Sequence, residues 1–249
     1  MGRGYQNDYS SSAKHMYDLD MRKNKARTMV AILEDYLGGL ENLNCLNVGG
    51  SAGIIDLYLA EYFKYVIGVD IDEKAISYAN ENFLKENLEF QIGDAMELKF
   101  ASESIDIVIS SHVYEHVPDS RQMMKEIYRV LKPNGICFFA AGNRLMLNEP
   151  HYNLPFLSIF PKALAHIYLR ALGKGNHYYE THLSYWGLKH LTRDFDVFDY
   201  TEKVIQQPAK YFTEYMLRPD SFKSRIALFM AKYFIWIVPS YLWVLKKVE

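Results

Sequence analysis
Apolar positions recur along this chain with two alternating periods. In residues 24–37, Ala26, Met29, Val30, Leu33 and Leu37 fall at helical spacing, which predicts an amphipathic helix ended by Gly38 and Gly39. Residues 43–48 then read as a strand, 54–63 as a helix, 65–71 as a second strand, 73–85 as a second helix and 89–92 as a short third strand. Residues 105–110 form an unbroken apolar run, the pattern of a strand buried on both faces of a parallel sheet. A helix over 120–131, a turn at Lys132-Pro133-Asn134-Gly135 and a fifth strand over 136–141 complete the series. Strands and helices in alternation predict a doubly wound α/β sheet.

Beyond residue 142 the rhythm breaks. Residues 143–193 are rich in aromatics, histidines and prolines and are expected to form an insertion, with further strands at 196–201 and 240–246. The chain therefore divides into a ligand-binding core (24–142), a cap (143–193) and two last strands separated by an apolar helix (194–249), all within one domain over 1–249. Residues 226–245 carry a single charge, Lys232, over a length sufficient to span a bilayer, but Pro239 interrupts the run. A helix over 222–237 followed by a strand is the favoured reading. That helix carries Phe229, Tyr233, Phe234 and Trp236 beside Arg218, Lys223 and Arg225, which points to peripheral membrane contact or to a homodimer interface.

Composition adds boundaries to this picture. With 249 residues, 49% of them hydrophobic, and a net charge of −2, the chain is long enough for one sizeable core. Cys45 and Cys137 both lie in strand-like runs, which argues against a disulfide framework and fits a reducing cytoplasm. The first thirty residues lack the apolar segment of a secretory signal. Charge is uneven: +3 over 1–30, −10 over 31–150 and +5 over 151–249. The basic, aromatic C-terminal part suits an anionic or amphiphilic partner. Its cations are scattered, so nucleic acid is not expected as one. The histidines at 166, 177, 182 and 190 show no metal-ligand spacing, and no metal is expected.

Candidate chemistry begins at "LNVGGSAGIIDLYLA", residues 46–60, where the first strand meets its helix. In an open parallel sheet this turn is the usual ligand cradle. A dinucleotide fingerprint starting at Gly49 would need glycine at 51 and 54, where Ser51 and Ile54 stand, so NAD and a nucleotide-sugar oxidoreductase are disfavoured. Gly49, Gly50 and Gly53 still permit close backbone approach, and Asp70 ends the second strand, where a carboxylate can accept from both ribose hydroxyls. Asp94 and Ala95 follow the third strand, placed for an adenine amino group and ring nitrogen. The polar end of the fourth strand is "SSHVYEH", residues 110–116.

Together with "QIGDAMEL" and "EIYRVLKPNG", these motifs over residues 40–142 resemble the class I S-adenosylmethionine-dependent methyltransferases. The resemblance implies a seven-stranded, mostly parallel Rossmann-like sheet with an antiparallel last strand. It implies S-adenosylmethionine held by Gly49, Ser51, Gly53, Asp70, Ile71, Asp94 and Ala95, with Ser110 or Ser111 beside the sulfonium. Two departures stand out: Asn47 replaces the family's acidic residue, and Ser51 its middle glycine.

The implied reaction is displacement of the sulfonium methyl, which asks the protein to align the acceptor and exclude water. His112 and His151 are the candidate general bases or acceptor ligands, with Tyr152 a further acceptor contact; Glu115 and His116 fall on the family's EHV pattern, in which His116 is expected to be mainly structural. The segment "NEPHYNLP" also resembles members acting on saccharides or lipid-linked intermediates, so the expected acceptor is a hydroxyl of a sugar or lipid-linked small molecule. C-methylation of a quinone-like ring and a catalytically weak, membrane-associated scaffold stay open as alternatives. Cytoplasmic location, with contact at the membrane's inner face, is the corresponding expectation.

Overall fold
The computed structural model describes residues 7–12 and 14–248. A short helical turn, α1 (Tyr9–Ser12), and a 3-10 turn (Lys14–Tyr17) lead into α2 (Leu19–Leu37). The core continues through β1 (Asn44–Val48), α3 (Ile54–Leu59), β2 (Tyr65–Asp70), α4 (Glu73–Asn82), β3 (Leu88–Ile92), β4 (Ile105–Ser111), α5 (Ser120–Val130) and β5 (Leu131–Gly142). The cap contains a two-residue hairpin, β6 (Asn148–Glu149) with β7 (Leu154–Pro155), then α6 (Lys162–Ala171). α7 (Tyr185–Leu191), β8 (Phe195–Asp199), α8 (Thr201–Gln206), α9 (Phe222–Tyr233) and β9 (Ser240–Lys247) finish the chain.

The large sheet has the order β3-β2-β1-β4-β5-β9-β8. β9 runs antiparallel to both of its neighbours, and the other pairs are parallel. This is the seven-stranded, Rossmann-like arrangement expected from the sequence. Alternation along the strands splits the core into two layers. Cys45, Ile107, Ile109 and Phe138 face the cluster beneath α2, whereas Leu46, Val108, Cys137 and Phe139 face the cluster beneath α5 and α7. The two cysteines are free and buried, in different clusters.

Several boundaries move for local reasons. α2 starts at Leu19 because Asp18 caps it, its carboxylate accepting from the Met21 N–H; Gly38, at φ 86°, ends it. β5 takes in the turn expected at residues 132–135. Asn134 at φ 63° and a register shift between Ile105 and Ile107 let the strand pass through the Pro-Asn-Gly segment without losing β4. The apolar tail divides into α9 and a 3-10 turn at Ile235–Ile237.

Asn143, fully buried, fixes the start of the cap. Its side-chain amide donates to the carbonyls of Trp236 and Val238, and its Oδ1 accepts from the Leu145 N–H. Tyr114 adds a second tie, donating to the Gly142 carbonyl at 2.5 Å and accepting from the Leu183 N–H at 3.1 Å. One side chain thus joins the β4 loop, the β5 end and the cap.

Asp35 of α2 anchors the C-terminal region. It accepts from the Tyr200 and Tyr211 hydroxyls, each at 3.1 Å, and pairs with Lys210. The Lys210 bond lowers its pKa to about 2, against the opposing effect of burial and with help from the tyrosines. We expect Asp35→Asn to cost about 1–2 kcal/mol in denaturant unfolding at pH 7, given charged hydrogen bonds at a partly exposed site. An unfolded aspartate titrates near ~3.9, so the wild-type advantage is complete above that pH and is lost as pH falls through about 2. Unfolding curves of the two proteins should therefore converge on acidification.

Candidate functional site
At the carboxyl ends of β1, β2, β3 and β4 lies a crevice lined by Gly49, Val69, Asp70, Ile71, Gly93, Asp94, Ala95, His112, Val113, His116 and Val117. The turn after β1 builds its floor. Gly49 sits at φ 76°, and a Cβ there would lie 2.5 Å from Val113 Cγ2, so only glycine fits. Ser51 occupies the left-handed region at φ 54°, a conformation that costs a non-glycine residue energy and here is held by a hydrogen bond. Its N–H donates to Asp70 Oδ2 at 2.8 Å, while Asp70 Oδ1 accepts from the Asp72 N–H at 2.9 Å. Burial raises the Asp70 pKa, partly offset by those backbone donors.

Asn47 has a physical explanation. Its amide donates to Asp56 Oδ1 at 2.7 Å, and Asp56 is fully buried in the first turn of α3. The Asp56 carboxyl reaches beneath the glycine turn, where a Cβ on Gly50 would meet its Oδ2 at 2.8 Å. An acid at 47 would face this carboxyl directly; the acidic group beneath the turn comes instead from α3. Burial pushes the Asp56 pKa up to about 7, against the Asn47 bond.

Of the expected cofactor contacts, Gly49, Asp70, Ile71, Asp94 and Ala95 converge on the crevice. Ser51 meets it through Asp70. Gly53 instead packs inward, where a Cβ would lie 2.6 Å from Phe90 and 2.8 Å from Ala79. Ser110 is fully buried between β1 and β5, and Ser111 stands at the end of β4 outside the crevice lining.

His112 lies on the crevice wall at φ 57°, with its Nδ1 3.3 Å from Glu115 Oε1. Its side chain is 39% exposed and that of Glu115 1%. Burial would raise Glu115, but the hydrogen bond from His112 and the nearby imidazoles hold it at about 2. His151 takes a different place. Its Nδ1 is 2.5 Å from Glu149 Oε1, and its ring meets His116 edge-on at 4.8 Å between centroids. His116 lines the crevice, so His151 stands one ring behind it.

Sequence reasoning missed several groups. His116, read as mainly structural, lies on the wall; Glu149, Glu180 and His182 surround it with Glu115 in a buried polar cluster. The signal was two Glu-x-His pairs, Glu149/His151 and Glu180/His182, since alternate residues of extended chain share a face. Tyr9 and Met16 line the crevice mouth, Arg22 of α2 contacts the Met16 sulfur, and Tyr9 meets the His116 ring at 5.2 Å. α1 is tied down by Ser10 N–H to Asp72 and by an exposed Asp8–Lys74 pair. No periodicity announces such a fold-back.

The open volume of the crevice is about 100 Å³, below the roughly 300–1,000 Å³ of small-molecule sites, with Tyr9 and Met16 occupying its mouth. Its chemistry nevertheless suits an adenosine: carboxylates at two strand ends, glycine backbone at the first, and apolar walls from Val69, Ile71, Ala95, Val113 and Val117. Fold and lining together give an α/β protein with the class I methyltransferase strand order and a crevice at its strand ends.

Comparison with known proteins agrees. Residues 46–139 match the family described as "Methyltransferase domain". Demethylmenaquinone methyltransferase of Lactobacillus johnsonii is 43% identical over 74 residues, covering 28% of this chain and 30% of that protein. Ubiquinone biosynthesis O-methyltransferase of Rhizobium etli is 32% identical over 143 residues, covering 57% and 54%. The chain thus spans from under a third to about half of these relatives. Among solved structures, the complex between the Haloferax volcanii Trm112 methyltransferase activator and a putative methyltransferase contains a similar chain. It matches at TM-score 0.60 and 17% identity over 98% of each chain, a likeness of fold. Through residues 46–139, less than half of its length, the chain is similar to the methyltransferase domain, which implies S-adenosylmethionine as its cofactor.

Asp70→Ala should weaken binding of S-adenosylhomocysteine by about 1–3 kcal/mol, roughly 5- to 150-fold, because polar partners lose their acceptor. Calorimetry reads the affinity, and a thermal melt confirms that the fold persists.

Proposed function
We propose that the protein transfers a methyl group from S-adenosylmethionine to a hydroxyl of a sugar or lipid-linked small molecule. The observation that carries this is the His112–Glu115 pair at the donor crevice: an imidazole facing the ligand space with a buried carboxylate behind it. When bound, the cofactor supplies an electrophilic methyl on a sulfonium with a good leaving group. Gly49, Asp70, Ile71, Asp94 and Ala95 hold it, and Ser51 fixes the Asp70 carboxylate. His112 accepts the acceptor's hydroxyl proton, and Glu115 orients its ring and stabilises the resulting imidazolium. Tyr9 and Met16 lie where movement would widen the crevice for the donor; α1 is held there by the Ser10 N–H bond to Asp72, by the Tyr9–His116 ring contact and by the exposed Asp8–Lys74 pair.

The polar character of the acceptor is supported by His116 on the crevice wall and Glu180 and His151 behind it, with Tyr152 and Tyr178 in mutual ring contact in the cap. C-methylation of a quinone-like ring is a second reading, favoured by the similarity to a demethylmenaquinone methyltransferase. Incubation with methyl-labelled donor and panels of saccharides, lipid-linked saccharides and quinols tests both, since fragmentation distinguishes O-methyl from C-methyl products. With an accepted substrate, His112→Ala should lower kcat roughly 10²- to 10⁴-fold while S-adenosylhomocysteine affinity is kept. An unchanged kcat would remove His112 from the mechanism.

Among the described residues no helix is long and apolar enough to cross a membrane. α9 nevertheless exposes Phe222, Phe229 and Tyr233 at 79%, 56% and 60%, with only Ala231 of that helix buried. Lys223, Arg225 and Lys232 lie on the same helix, and Trp186 stacks on Trp236 alongside. This face supports peripheral contact with an anionic lipid surface. The protein should float with anionic but not neutral liposomes, and Phe222→Ser with Phe229→Ser should abolish flotation. Retained flotation would exclude this helix as the contact.

A further inference from the structure
Behind His116 the ligand atoms of Glu149, His151 and His182 all lie within 4.8 Å of one another. Glu149 Oε1 is 2.5 Å from His151 Nδ1 and 3.4 Å from His182 Nε2. Glu149 is fully buried and the His182 side chain is 1% exposed. Glu115 and Glu180 are buried alongside, so three carboxylates share one desolvated region. The nearest lysine of the cap, Lys162, donates to the backbone carbonyls of Tyr178, Tyr179 and Glu180. Glu115 Oε2 and His182 Nδ1, both buried, have no hydrogen-bond partner among the described residues.

Buried carboxylates require positive charge or hydrogen bonds, and imidazoles provide charge only when protonated. A divalent cation provides it while the imidazoles are neutral. Two imidazoles and a carboxylate are a donor set that zinc takes in open sites, leaving a further position for an exogenous oxygen. The 3.4 Å between Glu149 and His182 is close to the ligand-to-ligand separation of a tetrahedral zinc site with bonds of about 2.0–2.2 Å. Rotation of the Glu149 carboxylate would open its contact with His151.

We propose that Glu149, His151 and His182 bind one divalent cation of the zinc type, with a position left for an exogenous oxygen. Cation binding stands independently of methyl transfer; only its use, holding an acceptor oxygen, rests on that reading. The donors come from β6, the loop after it and the segment before α7, so the site forms only when the cap folds.

The test is titration of the full chain, stripped with chelator, with Co²⁺ alone, followed by Zn²⁺ competition and elemental analysis. One Co²⁺ per chain with visible d–d absorption, displaced by Zn²⁺, is expected. Glu149→Gln, His151→Ala and His182→Ala should each weaken Co²⁺ at least about 100-fold, the upper range for loss of mere supporting groups, whereas His190→Ala should not. S-adenosylhomocysteine binding by the same samples reports folding and the donor site separately; if Glu149→Gln does not fold, the less buried His151→Ala carries the test. No Co²⁺ or Zn²⁺ binding by folded wild type at about 100-fold excess over protein, or undiminished binding by folded His151→Ala, overturns the proposal. Loss on His116→Ala with binding kept on His182→Ala would move the cation to the neighbouring His116, His151 and Glu180 set and overturn this assignment. Failure of donor binding with the Co²⁺ site intact would instead contradict the methyltransferase reading.

Discussion

The site depends on how the turn after β1 is held. This turn carries a non-glycine residue in the left-handed region, and its backbone is pinned by the Asp70 carboxylate through Ser51. Beneath it, Asp56 and Asn47 form a second, fully buried pair. Two carboxylates from two different elements therefore shape one short stretch of backbone. The arrangement places Asp70 at the crevice with one oxygen committed to the turn and the other to the start of α4. Crevice lining and turn geometry are consequently linked through a single side chain.

Around that centre, the remaining structure brings distant polar groups to one end of the sheet. Tyr114 ties the β4 loop to the end of β5 and to the cap, and Asn143 ties the start of the cap to the segment before β9 and to Tyr241 of β9 itself. These bonds are buried, so breaking them leaves unpaired groups, and the cap is held in one position by that cost. The result is a donor crevice formed by parallel strand ends and, next to it, a cluster of histidines and glutamates from the cap.

Much of the core was legible because its signals are local. Strand runs, helix spacing, Gly38 and the glycine turn all act within a few residues, and the sheet order followed from the resemblance. Ends were less legible where capping decides, as at Asp18, or where a left-handed Asn134 lets a strand pass through a turn sequence. Asp56 was invisible as the counterpart of Asn47, since nothing in a helical pattern tells which polar residue turns inward. The cluster of His116, Glu149, His151, Glu180 and His182 depends on the meeting of three segments; the two Glu-x-His spacings mark its parts but not their meeting. The fold-back of Tyr9 and Met16 belongs to the same class of long-range contact.

The central claim is that the crevice at the strand ends receives an adenosine-bearing donor. Calorimetric titration of the wild-type chain with S-adenosylhomocysteine, and with NAD as control, tests it most directly. The account predicts saturable binding of the first at a single site and none of the second. A silent titration at about millimolar S-adenosylhomocysteine, corresponding to less than ~4 kcal/mol of binding, would contradict it.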